Sequence, residues 1–367
     1  MQAIGLMSGT SLDGVDVAVI ETDGERISAF GPTGYRAYAE GERALLRQAL
    51  GEATAMTDRA QRPGVLAQAE ALVTRAHGDA IADYLEDNEL PLGAVDIIGF
   101  HGQTVLHRPE RRLTVQIGDG RALARRFGLP VAFDFRAADV AVGGQGAPLV
   151  PVFHGALAAT LDRPRPIAVL NIGGVANITY CDEDKLIACD TGPGNALLDD
   201  FMRARTGRAF DTGGAKAARG RVDQAFVDRV LRNPYFELPP PKSLDRNTFA
   251  SASAALSDSS VADGAATLAA LTAASVARVI PLLPRPPRTW IVAGGGAHNP
   301  AMLTMLAERV APASVETADA LGWSSDALEA QAFAYLAVRT LRGLPITFPS
   351  TTGVAQPMPG GIVARGE

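Results

Sequence analysis

The sequence predicts an α/β protein of two lobes, each built around a mixed β-sheet. Its 367 residues exceed what one hydrophobic core usually serves. Short apolar runs alternate with stretches of helical periodicity in both halves, a pattern typical of mixed α/β sheets. Residues 4–20 and 169–180 also share one plan: a strand, a turn of glycine and small polar residues, and a returning strand. We therefore expect a duplicated unit, with one copy in each half of the chain.

The first half begins with a hairpin and continues with alternating helices and strands. Two apolar runs flank the turn-rich GTSLDG and predict an antiparallel pair. The predicted elements are strands at 2–8 and 15–21, a helix at 64–87, a strand at 95–100, a helix at about 119–127 and a strand at 130–135. We place the first lobe at 1–137 and the second at 138–345. The tail at about 345–367 is a candidate to return to the first lobe.

The second half repeats this organisation. Gly-Pro-Gly interrupts the chain before ALLDDFMRA, which has helical period, so a helix is predicted to begin near Asn195. Ser324, Ser325 and Asp326 are good N-capping residues and predict the start of the last helix. The predicted elements are strands at 167–172, 178–180 and 186–189, helices from about 195 and at about 263–280, a strand at 290–293 and a helix at about 324–342.

Composition argues against several classes of function. A net charge of −6 and a pI of about 5.5 provide no basic surface for a nucleic acid. No lysine follows a glycine, so no GxxxxGK[ST] phosphate loop is present. Cys181 and Cys189 form no CxxC pair and suit the interior of a strand pair in a reducing compartment. With no signal-peptide pattern and no run of about 18 apolar residues, we expect a cytoplasmic protein without a membrane partner.

The first hairpin turn has the composition of a phosphate-binding loop. Its glycines expose backbone N–H groups and its hydroxyls add donors, so it can bind the terminal phosphates of a nucleotide without lysine. Asp13 and Asp16 could orient Mg²⁺ through water, because Mg²⁺ gives up its water ligands reluctantly. The same residue types are ordinary in a hairpin turn without a ligand, and that alternative stays open. The candidate nucleotide-binding residues here are Gly9, Thr10, Ser11, Leu12, Asp13, Gly14, Val15 and Asp16.

Two further glycine-rich turns are candidates for the rest of a nucleotide site. Gly173 and Gly174 follow the strand at 167–172 and precede Asn177, although two glycines after a strand are also common without a function. A second candidate turn follows the strand at 290–293, where three glycines would let a flat ring approach the backbone closely; these are Gly294, Gly295 and Gly296. No GxGxxG is present in this run, which disfavours a dinucleotide fold. Together the turns predict two phosphate hairpins and one adenosine loop.

These motifs follow one another in the order found in a known superfamily. IGLMSGTSLDGVD, NIGGVANIT, DTGPGNALLDD and VAGGGAHNP resemble the motifs of the sugar kinase, actin and heat-shock chaperone superfamily. Within it, the chain closely resembles the anhydro-N-acetylmuramic acid kinases, with which GFHGQT, DFR, GGQGAPLVP and PKS also agree. The resemblance runs from residue 4 to about 353, and GGQGAPLVP and DTGPGN are its specific segments. It implies a two-lobed actin-like ATPase fold of duplicated ribonuclease-H-like domains with an interlobe cleft, and a homodimer.

The resemblance also implies a reaction. The family uses ATP, with Mg²⁺ carried by the nucleotide, to phosphorylate O6 of anhydro-N-acetylmuramic acid while water opens its 1,6-anhydro ring. The product is N-acetylmuramate 6-phosphate, an intermediate of peptidoglycan recycling. By resemblance, Asp190 is the general base that activates the water. From the residues alone, Asp190 is either such a base or a carboxylate that caps a helix.

Five residues are candidates for contact with the sugar. In the family the helix of Glu329 faces the sugar, whereas an acid in a first helical turn is usually a solvated residue favoured by the dipole. Arg136 could pair with the lactyl carboxylate or form an internal ion pair with Asp134. His101 either lines the substrate cleft or is a hydrogen-bonded core histidine. Lys242, outside this set, either reaches a phosphate or lies along a proline-rich loop. The five sugar candidates are His101, Gln103, Asp134, Arg136 and Glu329.

Two other functions stay open at this point. A kinase for another hexose or amino sugar would carry the same turns. A nucleotide-switched binding protein, as in the actin and chaperone branches, would bind ATP without phosphorylating a small substrate. The residues between the two hairpins match the kinase branch, so the sequence favours a kinase.

Overall fold

The computed structural model describes residues 1–9, 11–183, 185–245 and 248–366, which form two compact units. The first contains Met1–Leu157 and Ala327–Glu367, and the second contains Ala158–Asp326. Both boundaries differ from the predicted ones at 137/138 and about 345. One reason is that Asp139 accepts a hydrogen bond from the Thr352 hydroxyl (2.6 Å), which ties the segment after residue 137 to the C-terminal part of the first unit.

The strands alternate with helices along most of the chain. The described strands are β1 (Gln2–Met7), β2 (Gly14–Thr22), β3 (Ile27–Ala37), β4 (Ile97–Phe100), β5 (Gln103–Arg108), β6 (Leu113–Ile117), β7 (Val131–Phe133), β8 (Ile167–Ile172), β9 (Val175–Asp182), β10 (Lys185–Pro193), β11 (Thr289–Ala293), β12 (Ser314–Thr317) and β13 (Ile362–Ala364). The described α-helices are α1 (Glu40–Ala53), α2 (Leu66–Asp87), α3 (Gly120–Phe127), α4 (Ala137–Ala141), α5 (Pro151–Ala159), α6 (Ala196–Thr206), α7 (Gln224–Val230), α8 (Ala250–Ala254), α9 (Val261–Ala277), α10 (Pro300–Val310), α11 (Leu328–Leu341) and α12 (Pro349–Thr352).

Each unit contains one mixed sheet, and the two sheets share a strand order. The first runs β3-β2-β1-β4-β7 with β13 beyond β7, and the second runs β10-β9-β8-β11-β12. In both, the first strand pairs antiparallel with the second and parallel with a strand from later in the chain. Strands β5 and β6 form a separate two-stranded sheet. The predicted α/β fold of two duplicated mixed sheets is confirmed.

Helices cover the sheets and give each unit its own hydrophobic core. In the first unit α11 packs on β1, β2 and β4, while α2 packs on β2 and β3. In the second unit α9 contacts α6, α10 and β10. Burial of these apolar faces supplies the main favourable free energy of folding. The free cysteines Cys181 and Cys189 are buried on β9 and β10, in the strand pair that the sequence predicted.

One segment, Val261–Leu282, is long and apolar enough to cross a membrane by length and composition alone. A core helix of a globular unit passes the same test. Every residue of α9 from Gly264 to Val276 is buried inside the second unit. The apolar composition of α9 is therefore explained by its position in the core.

The last long helix begins later than the capping pattern predicted. Helix α11 starts at Leu328, and its N-cap Ala327 has no side-chain cap. Ser325, a predicted capping residue, instead donates both its amide and its hydroxyl to the Asp319 carboxylate, at 3.0 and 2.8 Å. The predicted start at 324 was wrong because Asp319 holds this serine outside the helix.

Candidate functional site

The first hairpin turn joins β1 to β2 and is held partly by buried side chains. Ser8 is buried, and its hydroxyl lies 3.1 Å from the Gly102 carbonyl oxygen and 3.0 Å from Oε1 of Gln103. The Gly9 carbonyl accepts hydrogen bonds from the Leu12 amide (3.3 Å) and from Nε2 of Gln103 (3.2 Å). Leu12 has a φ of 56°, in the left-handed region where a leucine is strained. The path of the turn therefore depends on contacts with β5 as well as on its own residues.

The exposed part of this turn presents hydroxyl and carboxylate groups. Asp13 is exposed, and its Oδ1 accepts hydrogen bonds from the Ser11 hydroxyl (2.7 Å) and the Gly14 amide (3.1 Å). Glycine is needed at position 14, because a Cβ there would lie 2.6 Å from the ring of Tyr35. The side chains of Asp13 and Ser11 are thus oriented by the turn itself.

The remaining candidates of this turn differ in accessibility. Val15 is fully buried in β2, so it presents no surface to a ligand. Asp16 is partly exposed and pairs with Met7 across the hairpin. Thr10, also a predicted nucleotide-binding residue, lies outside the described residues. Among the described carboxylates of the turn, Asp13 is therefore the more accessible to a metal-bound water.

The second hairpin turn, Gly173 and Gly174, supports the start of α6. The Gly173 carbonyl accepts the amide of Asn195 (2.7 Å), and the Gly174 carbonyl accepts the amides of Gly194 (3.0 Å) and Ala196 (3.2 Å). Space beside both glycines is open, since the atoms nearest to an added Cβ would lie 3.7 and 3.6 Å away. The GGV and DTGPGN segments, separated in sequence, therefore form one local structure.

Asn177 and Asp190 lie in one row across the second sheet. Asn177 on β9 pairs with Asn171 on β8 and with Asp190 on β10. Directly paired residues of antiparallel strands place their side chains on the same face. The sheet thus brings Asp190 next to the strands of the second hairpin.

The three glycines after β11 pack against the second hairpin. Gly294 has a φ of 74°, and a Cβ there would collide with Oδ1 of Asn171, so only glycine fits. Gly296 is buried, and a Cβ there would lie 2.5 Å from Cβ of Ile172. Gly295 is exposed. Within the second unit, the structure brings together the two turns that the sequence assigned to a nucleotide.

A cavity of about 240 Å³ adjoins Gly295. Its wall combines the start of α6, the glycine turn and an exposed aromatic ring. Polar and apolar groups of this kind typically line small-molecule sites. The lining residues include Asn195, Leu198, Asp199, Phe210, Gly295 and His298.

Asp190 is partly exposed and sits at a bulge in β10. Its Oδ2 accepts a hydrogen bond from the Leu244 amide (2.7 Å). Its backbone donates to the Lys242 carbonyl (2.9 Å) and accepts from the Tyr235 hydroxyl (2.7 Å). The segment from 235 to 244 therefore holds the backbone of Asp190 at two points and its carboxylate at one.

The surroundings of Asp190 raise its pKa, so its carboxyl keeps a proton to a higher pH than an ordinary aspartate does. Burial raises the pKa of Asp190 to about 6, against the opposing effects of the Leu244 amide and the Lys242 charge. Nζ of Lys242 donates a hydrogen bond to the Tyr235 carbonyl (3.0 Å) and lies 4.5 Å from the centre of the Tyr235 ring. Burial also lowers the pKa of Lys242. A carboxyl with this pKa can accept a proton near neutral pH.

His101, a predicted sugar contact, is buried and bonded on both ring nitrogens. Nδ1 lies 2.7 Å from the Gly102 carbonyl oxygen, and Nε2 lies 3.0 Å from a guanidinium nitrogen of Arg136. Burial, then the charge of Arg136, holds the pKa of His101 well below its usual range. Arg136 also donates to the Gly146 carbonyl (2.8 Å). His101 is therefore a neutral, hydrogen-bonded histidine.

Asp134 has a left-handed backbone, with a φ of 58°, and pairs with Arg59 at 2.6 Å. The alternative of an ion pair between Asp134 and Arg136 was wrong, because each has other partners. Burial raises the pKa of Asp134 despite Arg59. His101 and Asp134 both line a cavity of about 260 Å³ in the first unit, which Arg59 also borders.

Glu329 lies at the start of α11, and its side chain is exposed. Desolvation by the surrounding protein nevertheless raises the pKa of Glu329, and the positive charge of Arg136 opposes that effect. Glu329 is thus accessible to a ligand, and the nearby charge of Arg136 favours its ionised form. The first unit places Glu329, Arg136 and His101 near one another, and Gln103 contacts the first hairpin instead.

No group of three or more metal-binding side chains occurs among the residues that the structure describes. Direct coordination of an ion by several carboxylates is therefore not a feature of the described site. Asp13 fits the weaker role of holding a water ligand of Mg²⁺, since it is exposed and its orientation is fixed.

Sequence reasoning missed the partners that shape the site. Tyr235 and the Leu244 amide reach Asp190 from about 50 residues along the chain. Phe210 lines the cavity beside Gly295 although no motif contains it. The PKS segment was the available signal, because Lys242 lies within it.

Comparison with known proteins identifies the family. Residues 1–365 match the family described as Anhydro-N-acetylmuramic acid kinase. An anhydro-N-acetylmuramic acid kinase of Nitrobacter winogradskyi is 64% identical over 366 residues, with 100% of both chains covered. One of Rhodopseudomonas palustris is 63% identical, covering 100% of this chain and 99% of the other.

The similarity to solved structures is low. Component A of the (R)-2-hydroxyglutaryl-CoA dehydratase of Acidaminococcus fermentans has a TM-score of 0.49 at 12% identity, covering 92% of this chain and 99% of its own. The family of this chain is therefore assigned from its sequence relatives and not from these structures. The chain belongs to the anhydro-N-acetylmuramic acid kinase family.

Proposed function

We propose that this protein uses ATP and one water molecule to convert anhydro-N-acetylmuramic acid to N-acetylmuramate 6-phosphate, with Asp190 as the general base. Membership of the family supports an ATP-dependent sugar kinase acting in peptidoglycan recycling. The observation that supports the role of Asp190 is its partly exposed carboxyl, whose pKa of about 6 suits proton transfer near neutral pH.

The reaction joins a hydrolysis to a phosphoryl transfer. Water attacks the anomeric carbon, and Asp190 takes the proton that the water loses. The bond from the anomeric carbon to O6 breaks, O6 accepts the γ-phosphoryl group and ADP leaves. Phosphoryl transfer itself depends mainly on positioning and charge neutralisation.

Residues of the first and second hairpins are proposed to bind ATP. The turn at 9–16 and the turn at Gly173, Gly174 and Asn177 bind phosphate oxygens. Gly294, Gly295 and Gly296 bind the adenosine, and the adjacent cavity has room for a flat ring. Asp13 would orient Mg²⁺ through a water ligand, and the ion would neutralise phosphate charge.

Sugar binding is proposed for residues of the first unit. Arg136 has no carboxylate in direct contact among its described hydrogen bonds, so its charge is available for the lactyl carboxylate. Glu329 is exposed beside it and can bind sugar hydroxyls. His101 and Asp134 are the other two residues proposed to contact the sugar. We also propose that the protein is cytoplasmic and a homodimer, and that its partners are small molecules and not nucleic acid or membrane.

The test of the base is Asp190→Asn. We expect the rate of phosphorylated product formation to fall on the order of 10²-fold or more, because an amide cannot accept the proton. Binding of a non-hydrolysable ATP analogue, measured by calorimetry, should remain nearly unchanged. Full activity in this variant would remove Asp190 from the mechanism.

A parallel measurement separates a kinase from a nucleotide-switched binding protein. Phosphate release from ATP should be slow without sugar and rise strongly with anhydro-N-acetylmuramic acid. Glucose and N-acetylglucosamine serve as matched acceptors, and turnover on either at a comparable rate would reassign the substrate.

A further inference from the structure

We infer that Gln103 is a positioning residue for the first hairpin and does not contact the sugar. Gln103 is 1% exposed, so its side chain has almost no surface for a ligand. Both ends of its amide are within hydrogen-bond distance of the residues that open the hairpin turn. The inference rests on the proposed function, in which this turn binds the phosphates of ATP.

The orientation of the amide follows from its partners. The Gly9 carbonyl can only accept, so the amide nitrogen of Gln103 must face it, at 3.2 Å. The amide oxygen then faces the Ser8 hydroxyl, at 3.0 Å. In this arrangement one buried side chain holds two consecutive residues of the turn.

The donors and acceptors next to Gln103 are consistent with this orientation. Arg136 can only donate, so Nε2 of His101 accepts from it and the imidazole proton lies on Nδ1. That proton goes to the Gly102 carbonyl, at 2.7 Å. Ser8 has a single hydroxyl proton, which is then free to go to Gln103. None of these directions conflicts with the orientation of the Gln103 amide, whose partners are the Ser8 hydroxyl and the Gly9 carbonyl.

The hairpin needs such support because two of its turn residues are exposed and a third is strained. Ser11 and Asp13 face solvent, and Leu12 has a strained left-handed backbone. The Gly9 carbonyl also accepts the Leu12 amide that closes the turn. Fixing that carbonyl fixes the turn before a nucleotide arrives, which reduces the ordering cost of binding.

The test uses Gln103→Met, which keeps the length of the side chain and removes both hydrogen bonds. We expect affinity for a non-hydrolysable ATP analogue with Mg²⁺, measured by calorimetry on the full chain, to fall about tenfold. The KM for anhydro-N-acetylmuramic acid should stay within about twofold. Thr114→Val is the control, because it removes a buried hydroxyl of the β5–β6 sheet whose described hydrogen bonds go to His107, Leu106 and Gln116 and to neither hairpin turn.

A second variant separates positioning from folding. Ser8→Ala keeps the hydrogen bond from Gln103 to Gly9, so it should weaken binding of the ATP analogue less than Gln103→Met does. The double variant should bind no more weakly than Gln103→Met alone, since the two residues act in one network. If Gln103→Met proves poorly folded, Ser8→Ala carries the test alone and should weaken binding of the analogue relative to the wild type without raising the KM for the sugar.

Other outcomes would overturn the inference. A higher KM for the sugar with unchanged analogue affinity would make Gln103 a sugar contact and leave the proposed kinase intact. An equal loss in Gln103→Met and Thr114→Val would reduce its role to general stability. Failure of the wild-type protein to bind the analogue would instead contradict the proposed function itself.

Discussion

At the scale of single residues, the chemistry of the site depends on how a carboxyl is buried. Asp190 lies at a strand bulge with one oxygen bonded to the Leu244 amide, and its pKa is raised to about 6. The DTGPGN motif identified this residue from the sequence. Its partners Tyr235 and Leu244 come from a distant segment that the sequence marked only by the PKS motif beside Leu244, and nothing in that motif pointed to contact with Asp190.

The raised pKa of Asp190 predicts the acid limb of the pH profile. Burial disfavours the charged form, so the carboxyl keeps its proton up to about pH 6 and accepts one only above it. We therefore expect kcat to fall about tenfold per pH unit below about pH 6 and to reach a plateau above it. The measurement is kcat from pH 4.5 to about 8.5 with saturating ATP and sugar. A flat profile across pH 6 would contradict the assignment.

Lys242 provides the control for that profile. Its charge lowers the pKa of Asp190, so Lys242→Met should move the acid limb to higher pH. Lys185→Met, at the exposed start of β10, is the matched variant and should leave the limb in place. An unmoved limb in Lys242→Met would mean that the titrating group is not Asp190.

At the scale of elements, the two hairpins with glycine turns and the helices α2, α3, α6, α9 and α11 were predicted, whereas α1, α10 and the β5–β6 pair were missed. The predicted strands at 2–8 and 15–21 correspond to β1 and β2, because an apolar run on each side of a glycine turn permits little else. Strand β3 was missed, since it is mostly exposed and contains Gly31, Pro32 and Gly34. The start of α11 was wrong because a tertiary contact, Asp319 with Ser325, overrode local capping.

The two hairpin turns should respond alike to a bulky side chain. Gly9 and Gly174 have open space where a Cβ would go, with the nearest atoms at 3.5 and 3.6 Å, so Gly9→Val and Gly174→Val are expected to fold. Each valine would obstruct the approach of phosphate to the backbone. We expect the KM for ATP to rise several-fold in both, and more than the KM for the sugar.

Gly93→Val is the control for these variants, because a Cβ there meets nothing within 4 Å and the residue lies far along the chain from either turn. Steady-state kinetics at varied ATP and fixed sugar make the comparison. If either hairpin variant keeps the wild-type KM for ATP, that turn does not bind phosphate.

At the scale of the whole molecule, one plan occurs twice. Both sheets have the same order of five strands, with the first two forming a hairpin whose turn contains glycine. No residue-level repeat accompanies this likeness, so only the pattern of elements could reveal it from the sequence. The division into units was less predictable, because the chain returns to the first unit at Ala327, inside the segment predicted as a single helix.

This duplication predicts where bound nucleotide will slow amide hydrogen exchange. If each hairpin contributes to ATP binding, a non-hydrolysable analogue with Mg²⁺ must stabilise both turns, since a ligand that binds only the native state suppresses local opening where it binds. Exchange should slow at residues 8–16 in the first unit and at 171–177 and 294–299 in the second. Gly174→Val should abolish the effect at 171–177 at analogue concentrations that protect the wild type, whereas Gly93→Val should not. Protection confined to one unit would mean that only one of the two hairpins binds nucleotide.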